Sequence, residues 1–146
     1  GSSTAAWDTA SYTSVDIALD VETAKMTIRQ QNYEPTHIFL SPKDYKSVIA
    51  WIYSKGAQAP AVGSSIVGNA VLTQLFGLNV VVANSVTASG SLVASPKAAC
   101  TYREFMSLQS RTIEDPLIGI KIRVAEEGIA MLTDPNAAYF IKDTQT

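Results

Sequence analysis

The chain has 146 residues, a length that suits one domain of ordinary size with a buried core. Apolar residues make up 47% and charged residues 16%, with a net charge of −2 and a pI near 5.3. No Lys/Arg run exceeds one residue, which gives no basic footprint for DNA or RNA and argues against specific nucleic-acid binding. No apolar run approaches a membrane span, and the start lacks the basic and apolar regions of a signal peptide. The sparing use of charge suits surfaces that meet other proteins, and equally suits an ordinary domain.

Gly1-Ser2-Ser3 reads as a tag remnant, and residues 1–12 as that remnant with a lead-in outside the fold. Thr13 to Gln31 reads as a helix, capped by Thr13 or Ser14, with Asp16 in the first turn and Arg29 near the end. Ile17, Val21, Ala24 and Ile28 form one apolar stripe, and Glu22 and Lys25 stand a turn apart on the expected outer side. Pro35 stops what precedes it, and Thr36–Leu40 reads as a short apolar strand.

A second helix starts at Ser41, the N-cap, with Pro42 at N1, Asp44 at N3 facing the cap, and Leu40 and Tyr45 placed as a hydrophobic staple. Its expected buried positions are Tyr45, Val48, Ile49, Ile52 and Tyr53, and Gly56 supplies the left-handed stop. Residues 56–69 form a small-residue loop. "AVLTQLFG" (70–77) reads as a short helical turn, and "LNVVVANSV" (78–86) as a buried strand. "TASG" (87–90) turns into the strand "SLVAS".

From Ala98 onward the chain reads mainly as β. "IGIKIRV" (118–124) alternates strictly, with Ile118, Ile120, Ile122 and Val124 on one face. "AEEG" (125–128) reads as a turn or bulge, and Asp134-Pro135-Asn136 as punctuation before "AAYFI".

The sequence offers no catalytic, cofactor-binding or metal site. The single cysteine, Cys100, excludes an internal disulfide framework and reads as a buried thiol. His37, the only histidine, lies between apolar strand residues with no partner legible by motif. One His and one Cys cannot build a zinc site without carboxylates at ligand spacing. "GSSIVGNA" (63–70) has the glycine spacing of a phosphate loop, but Asn69 and Ala70 replace the lysine and hydroxyl that would hold phosphate and magnesium. Ser64 and Ser65 have no nucleophile elbow. Glu126 and Glu127, adjacent in a strand, point to opposite faces, and Asp115 and Asp134 precede prolines as turn residues. The reading is of a protein that is not an enzyme and needs no cofactor.

The order of the pieces resembles the second half of a major capsid protein with the HK97-like fold, found in tailed bacteriophages, related archaeal viruses and encapsulin nanocompartments. The carriers are the helix with Asp16, Ile17 and Ala24, then P-x-x-I-x-x-S-P-x-D-Y from Pro35 to Tyr45, and L-x-G-L-x-V-V-x-x-x-x-V from Leu75 to Val86. S-L-V (91–93) and I-x-I-R-x-A-E-E-G-I-A…P-N-A-A-Y-F-I (120–141) follow. The resemblance implies an α+β fold, a mixed sheet flanked by helices with long strands toward the C-terminus. It implies an axial region over 13–100 and peripheral strands over 101–146, the last strand being a candidate to return to the axial region.

By the same resemblance the chain is a truncated fragment, lacking the family's N-terminal arm, extended loop and spine helix. The implied function is a self-assembling subunit of an icosahedral shell around a viral genome, in the virion, assembled in the host cytoplasm. Partners would be copies of itself in pentamers and hexamers, with a scaffold or maturation protease as further candidates, and no membrane. The alternatives are an encapsulin-type shell, or a small-molecule-binding α/β domain using the 56–69 loop as a lid.

Overall fold

The computed structural model of the protein describes residues 1–8, 16–55, 72–115 and 119–146. The expected caps at Thr13 or Ser14, the Gly56 stop, the 56–69 loop with its glycine motif, Ser64 and Ser65, and Ile118 lie outside the described residues. The chain divides into two units, Gly1–Ala99 with Asp134–Thr146, and Cys100–Thr133.

The first unit is built on a five-stranded mixed sheet. Its elements are α1 (Asp16–Gln30), β1 (His37–Leu40), α2 (Pro42–Lys55), β2 (Gln74–Leu75), β3 (Leu78–Val82), β4 (Gly90–Ala94), the one-turn α3 (Pro96–Ala99), a 3-10 turn (Pro135–Ala137) and β7 (Ala138–Lys142). The strand order is β2-β3-β1-β4-β7, with β1 parallel to β3 and the other pairs antiparallel. A parallel pair needs a crossover, and α2 lies on the stretch of chain that provides it.

The apolar stripe on α1 is where its spacing puts it: Ile17, Val21, Ala24 and Ile28 are all buried. They join Val48, Trp51 and Ile52 of α2, Ile38 and Leu40 of β1, Val93 of β4 and Ile141 of β7 in one core. Burying each of these large side chains is worth about 1.5–3 kcal/mol. Ser41 caps the start of α2 as expected, with Asp44 facing it: the Asp44 backbone N–H donates to Ser41 Oγ at 3.1 Å, and Ser41 Oγ–H donates to Asp44 Oδ2 at 2.8 Å.

Several expectations are corrected. In α2 the buried aromatic is Trp51, whereas Tyr53 is 54% exposed. The two lie two positions apart and so on different faces, and the core meets the Trp51 side. Tyr45 and Ile49 are only half-buried. Lys25 is buried rather than outward: its Nζ donates to Glu22 Oε1 at 2.7 Å and to the Phe76 carbonyl at 2.9 Å.

The helical turn expected over 70–77 is a two-residue β-hairpin across its described part. Leu75 pairs with Leu78, and the connecting Phe76 and Gly77 have φ of 49° and 79°. Both central residues of a type I′ turn take positive φ, which Gly77 adopts freely. Strand β3 is not fully buried, since Val81 and Val82 are 36% and 45% exposed.

The first eight residues belong to the fold. Ser2 bridges Lys142 in parallel, Lys142 N–H donates to the Gly1 carbonyl at 2.8 Å, and Ser3 N–H donates to the Lys142 carbonyl at 2.9 Å. Trp7 is 3% exposed and part of the core. The segment satisfies backbone groups along the β7 edge that would otherwise be open.

The second unit is a ribbon of two antiparallel strands, β5 (Cys100–Asp115) and β6 (Gly119–Leu132). "AEEG" is not a turn: β6 runs through it unbroken, and the irregularities lie on β5, where the register shifts between Glu104 and Met106 and again between Met106 and Gln109. Extra residues on one strand raise its local twist. Cys100 opens β5 and is exposed, because a ribbon of only two strands has no covering layer to bury it.

Candidate assembly surfaces

Among the described residues, those weighed for chemistry are spread over different elements. His37 sits in β1, its Nδ1 2.8 Å from Thr36 Oγ1 and its ring stacked 6.3 Å from Phe39. Cys100, Glu126 and Glu127 are in the ribbon unit and Asp134 is in the other. Among the described residues no group of three or more His, Cys, Asp or Glu side chains could hold a metal ion. Among the described residues, too, no helix is long and apolar enough to cross a membrane.

The buried acids have structural tasks. Asp20 Oδ1 accepts from the Thr4 backbone N–H at 2.9 Å and Thr4 Oγ1–H at 2.7 Å, and Oδ2 accepts from the Trp7 indole N–H at 3.0 Å. Asp44 Oδ1 accepts from Gln145 Nε2 at 2.6 Å, which ties the C-terminal residues to the start of α2. Tyr33 O–H donates to Asp134 Oδ2 at 2.5 Å, while Asp134 Oδ1 accepts from the Asn136 N–H at 2.8 Å and caps the 3-10 turn. The shared hydrogen bond raises the Tyr33 pKa, and the Tyr33 and Asn136 donors together lower that of Asp134. A depression of about 360 Å³ in the first unit is lined by Trp7, Asp8, Lys43, Lys46, Ser47, Ala50 and Gln145.

What the molecule offers instead is apolar surface. On the sheet face opposite the core, register aligns Val81, Phe39, Leu92 and Phe140 across β3, β1, β4 and β7. Phe140, the outermost of the row, is 38% exposed, and its ring lies over Gly90, where a Cβ would collide with it.

The ribbon is more extreme. Phe105, Leu108, Ile120, Ile122 and Leu132 are each 64–72% exposed, and Tyr102, Ile113, Val124 and Ile129 are exposed as well. Strict alternation ordinarily marks a strand with one buried face, yet both faces here are uncovered within the unit. An isolated two-stranded ribbon is at best marginally stable in water, so apolar residues on both faces mark it as a surface that meets something.

Paired residues of an antiparallel ribbon share a face, so register sorts its charges. Tyr102, Glu104, Ile120, Ile122, Val124 and Glu126 fall on one face, where Tyr102 O–H lies 3.3 Å from Glu126 Oε1. Partial screening of its hydroxyl from water, although the residue as a whole is 58% exposed, and then the charge of Glu126, raise the Tyr102 pKa. Arg103, Arg111, Lys121 and Arg123 fall on the other face, with Glu127. Arg111 and Arg123 stand directly opposite each other, and with Met106, Gln109 and Ala125 they line a depression of about 220 Å³. Like charges placed opposite are unfavourable until something anionic joins them. The alternation of β6 was legible in the sequence, whereas the bulges that bring Arg111 into register with Arg123 were not.

A family model described as "Phage capsid protein" matches residues 1–141. Comparison with the curated proteins yields no match. Among solved structures, a phage-related protein from Bordetella bronchiseptica RB50 is similar with a TM-score of 0.65 at 19% identity, over 98% of this chain and 53% of that one. A virus-like particle from Pyrococcus furiosus gives 0.61 at 14% identity, over 96% of this chain and 54% of the other. A Mycobacterium phage Che8 structure gives 0.62 at 14%, over 92% and 51%. The chain thus spans about half the length of each of these structures, and at these identities the likeness establishes a shared fold.

Proposed function

The chain belongs to the phage capsid protein family, and on that premise we propose that it is the part of a shell subunit that builds the capsid wall. The observation that carries the reading is the β5–β6 ribbon, whose apolar side chains are exposed on both faces. Many identical copies would bury such surfaces against one another, and closure of the shell makes the whole far stronger than any single contact.

In this reading the sheet-bearing unit is the axial region that clusters around the symmetry axes in pentamers and hexamers. The ribbon is the peripheral region, and β7 is the strand that returns to the axial one. The shell is icosahedral and encloses the viral genome, the protein is a virion component assembled in the host cytoplasm, and its role is structural rather than enzymatic. A scaffold or a maturation protease would act on the whole subunit. No observation favours the encapsulin reading, and the small-molecule reading depends on the 56–69 loop, which lies outside the described residues.

Electron microscopy of the full-length parent protein, expressed alone and with its neighbouring genes, tests the proposal. Closed, uniform icosahedral particles are expected under at least one condition. Monomers or small oligomers under both would overturn it.

A further inference from the structure

We propose that the ribbon of one copy lays its basic face on the acidic, apolar face of the ribbon of a second copy, in a head-to-tail contact. The inference rests on the shell-subunit reading and adds to it the partner, the faces and the direction of the contact.

On one face the Tyr102 hydroxyl lies 3.3 Å from Glu126 Oε1, Glu104 shares that face, and Ile120, Ile122 and Val124 continue it toward the connecting end. On the opposite face Arg111 and Arg123 stand across from each other beside Lys121, and Arg103 lies nearer the root. Among the described residues neither Arg111 nor Arg123 has an acidic partner. An arginine pair of this kind presents two planar forks of donors, suited to carboxylates. The chain itself carries the complementary pair, Glu104 and Glu126, on the other side of the same ribbon.

Complementary charges on opposite faces have a consequence for symmetry. A twofold contact joins one patch to itself, which here would set cation against cation or acid against acid. Joining the two faces uses a different patch on each copy, so one copy keeps its acidic face free and the other its basic face, and the contact repeats into a ring or a chain. The contact is also staggered. Glu126 lies three residues from Arg123 along β6 and Glu104 pairs with Gly128, five residues from it, so the two clusters lie roughly 10–17 Å apart at the usual rise per residue. Neighbouring ribbons must slide by that amount to bring opposite charges together, which also lays Ile120, Ile122 and Val124 against the partner's ribbon.

The test is a charge-reversal pair in the full chain, read by analytical ultracentrifugation over a concentration series at low and high salt. Arg111→Glu with Arg123→Glu sets an acidic cluster on both faces, and Glu104→Arg with Glu126→Arg sets a basic cluster on both. Each double variant alone should self-associate at least about tenfold more weakly than the unchanged chain, since like charges then face each other. Mixing the two variants should restore association, and salt should weaken it. If a reversal unfolds the ribbon by circular dichroism, Arg111→Gln with Arg123→Gln serves on the same scale.

A chain that stays monomeric at every concentration would overturn the proposal, as would variants that mixing does not rescue. Duplex DNA binding that is lost in the Arg111/Arg123 variant, with self-association untouched, would overturn it too. Self-association indifferent to all four substitutions would sink the ribbon contact alone, leaving the shell reading to the particle experiment.

Discussion

The indole N–H of Trp7 donates to Asp20 Oδ2 at 3.0 Å, and through this bond and those from Thr4 the first residues are fastened to α1. Trp7 is in the core, so its polar edge must be satisfied where water does not reach. Asp20→Ala strips the indole N–H and the Thr4 donors of their acceptor. It should lower the stability of the sheet-bearing unit by about 2–4 kcal/mol in urea unfolding. Asp20→Asn keeps an acceptor oxygen and should recover part of the loss.

Ser41→Ala removes the oxygen that receives the Asp44 N–H and releases the Asp44 carboxyl from its Ser41 donor. A loss of about 0.5–2 kcal/mol is expected, with the start of α2 exchanging amide hydrogens faster than its middle. Ser41→Asp should cost more than a change of cap alone, because it would place two carboxylates at hydrogen-bond distance.

Gly77→Ala tests the hairpin that replaced the expected helical turn. With φ at 79°, a Cβ there is strained even though the space is open, and a cost of about 1–2 kcal/mol is expected. A thermal melt that does not move would mean the turn is not of this type.

Gly128→Val addresses the ribbon without touching the sheet-bearing unit. The Tyr102 ring lies over Gly128, where any Cβ would overlap it, an arrangement in which an aromatic ring covers a strand glycine. Faster hydrogen exchange confined to Cys100–Thr133 is expected, and Tyr102→Ala with Gly128→Val should be milder than the valine alone.

The Tyr33–Asp134 hydrogen bond couples stability to pH at both ends of the scale. The Asp134 pKa is lowered from its usual 3.8, so its contribution is present above that value and is lost as pH falls through the folded-state value. The Tyr33 pKa is raised from its usual 10.0, so its contribution is present below that value and is lost as pH rises through the folded-state value. In Tyr33→Phe the acid-side dependence should shrink, leaving the part due to the Asn136 N–H, and the alkaline loss assigned to Tyr33 should vanish. Melting temperatures from acid to alkaline pH would show both.

Much of the first unit was legible because the governing interactions are short-range along the chain. The α1 stripe and the Ser41 cap with Asp44 facing it depend on residues a turn or less apart, and both stand as read. So does the order of motifs that pointed to the capsid family. Helix α1 ends earlier than the Pro35 stop, at Gln30, with Asn32 in the left-handed region at φ 62°. The failures over burial share one cause, which is that burial belongs to what packs against a residue rather than to the residue. Lys25 turns inward because the Phe76 carbonyl waits 2.9 Å from its ammonium group. Trp51 is buried in place of Tyr53 because the core lies on its side of α2.

The ribbon is the largest case. Alternation along β6 determined which residues share a face, and the sequence alone carries that. Whether a face is covered depends on a further layer, and with only two strands no layer covers it within the unit. The register that sets Arg111 against Arg123, and Glu104 on the face of Glu126, passes through bulges on β5. It was decided only when the two strands were paired.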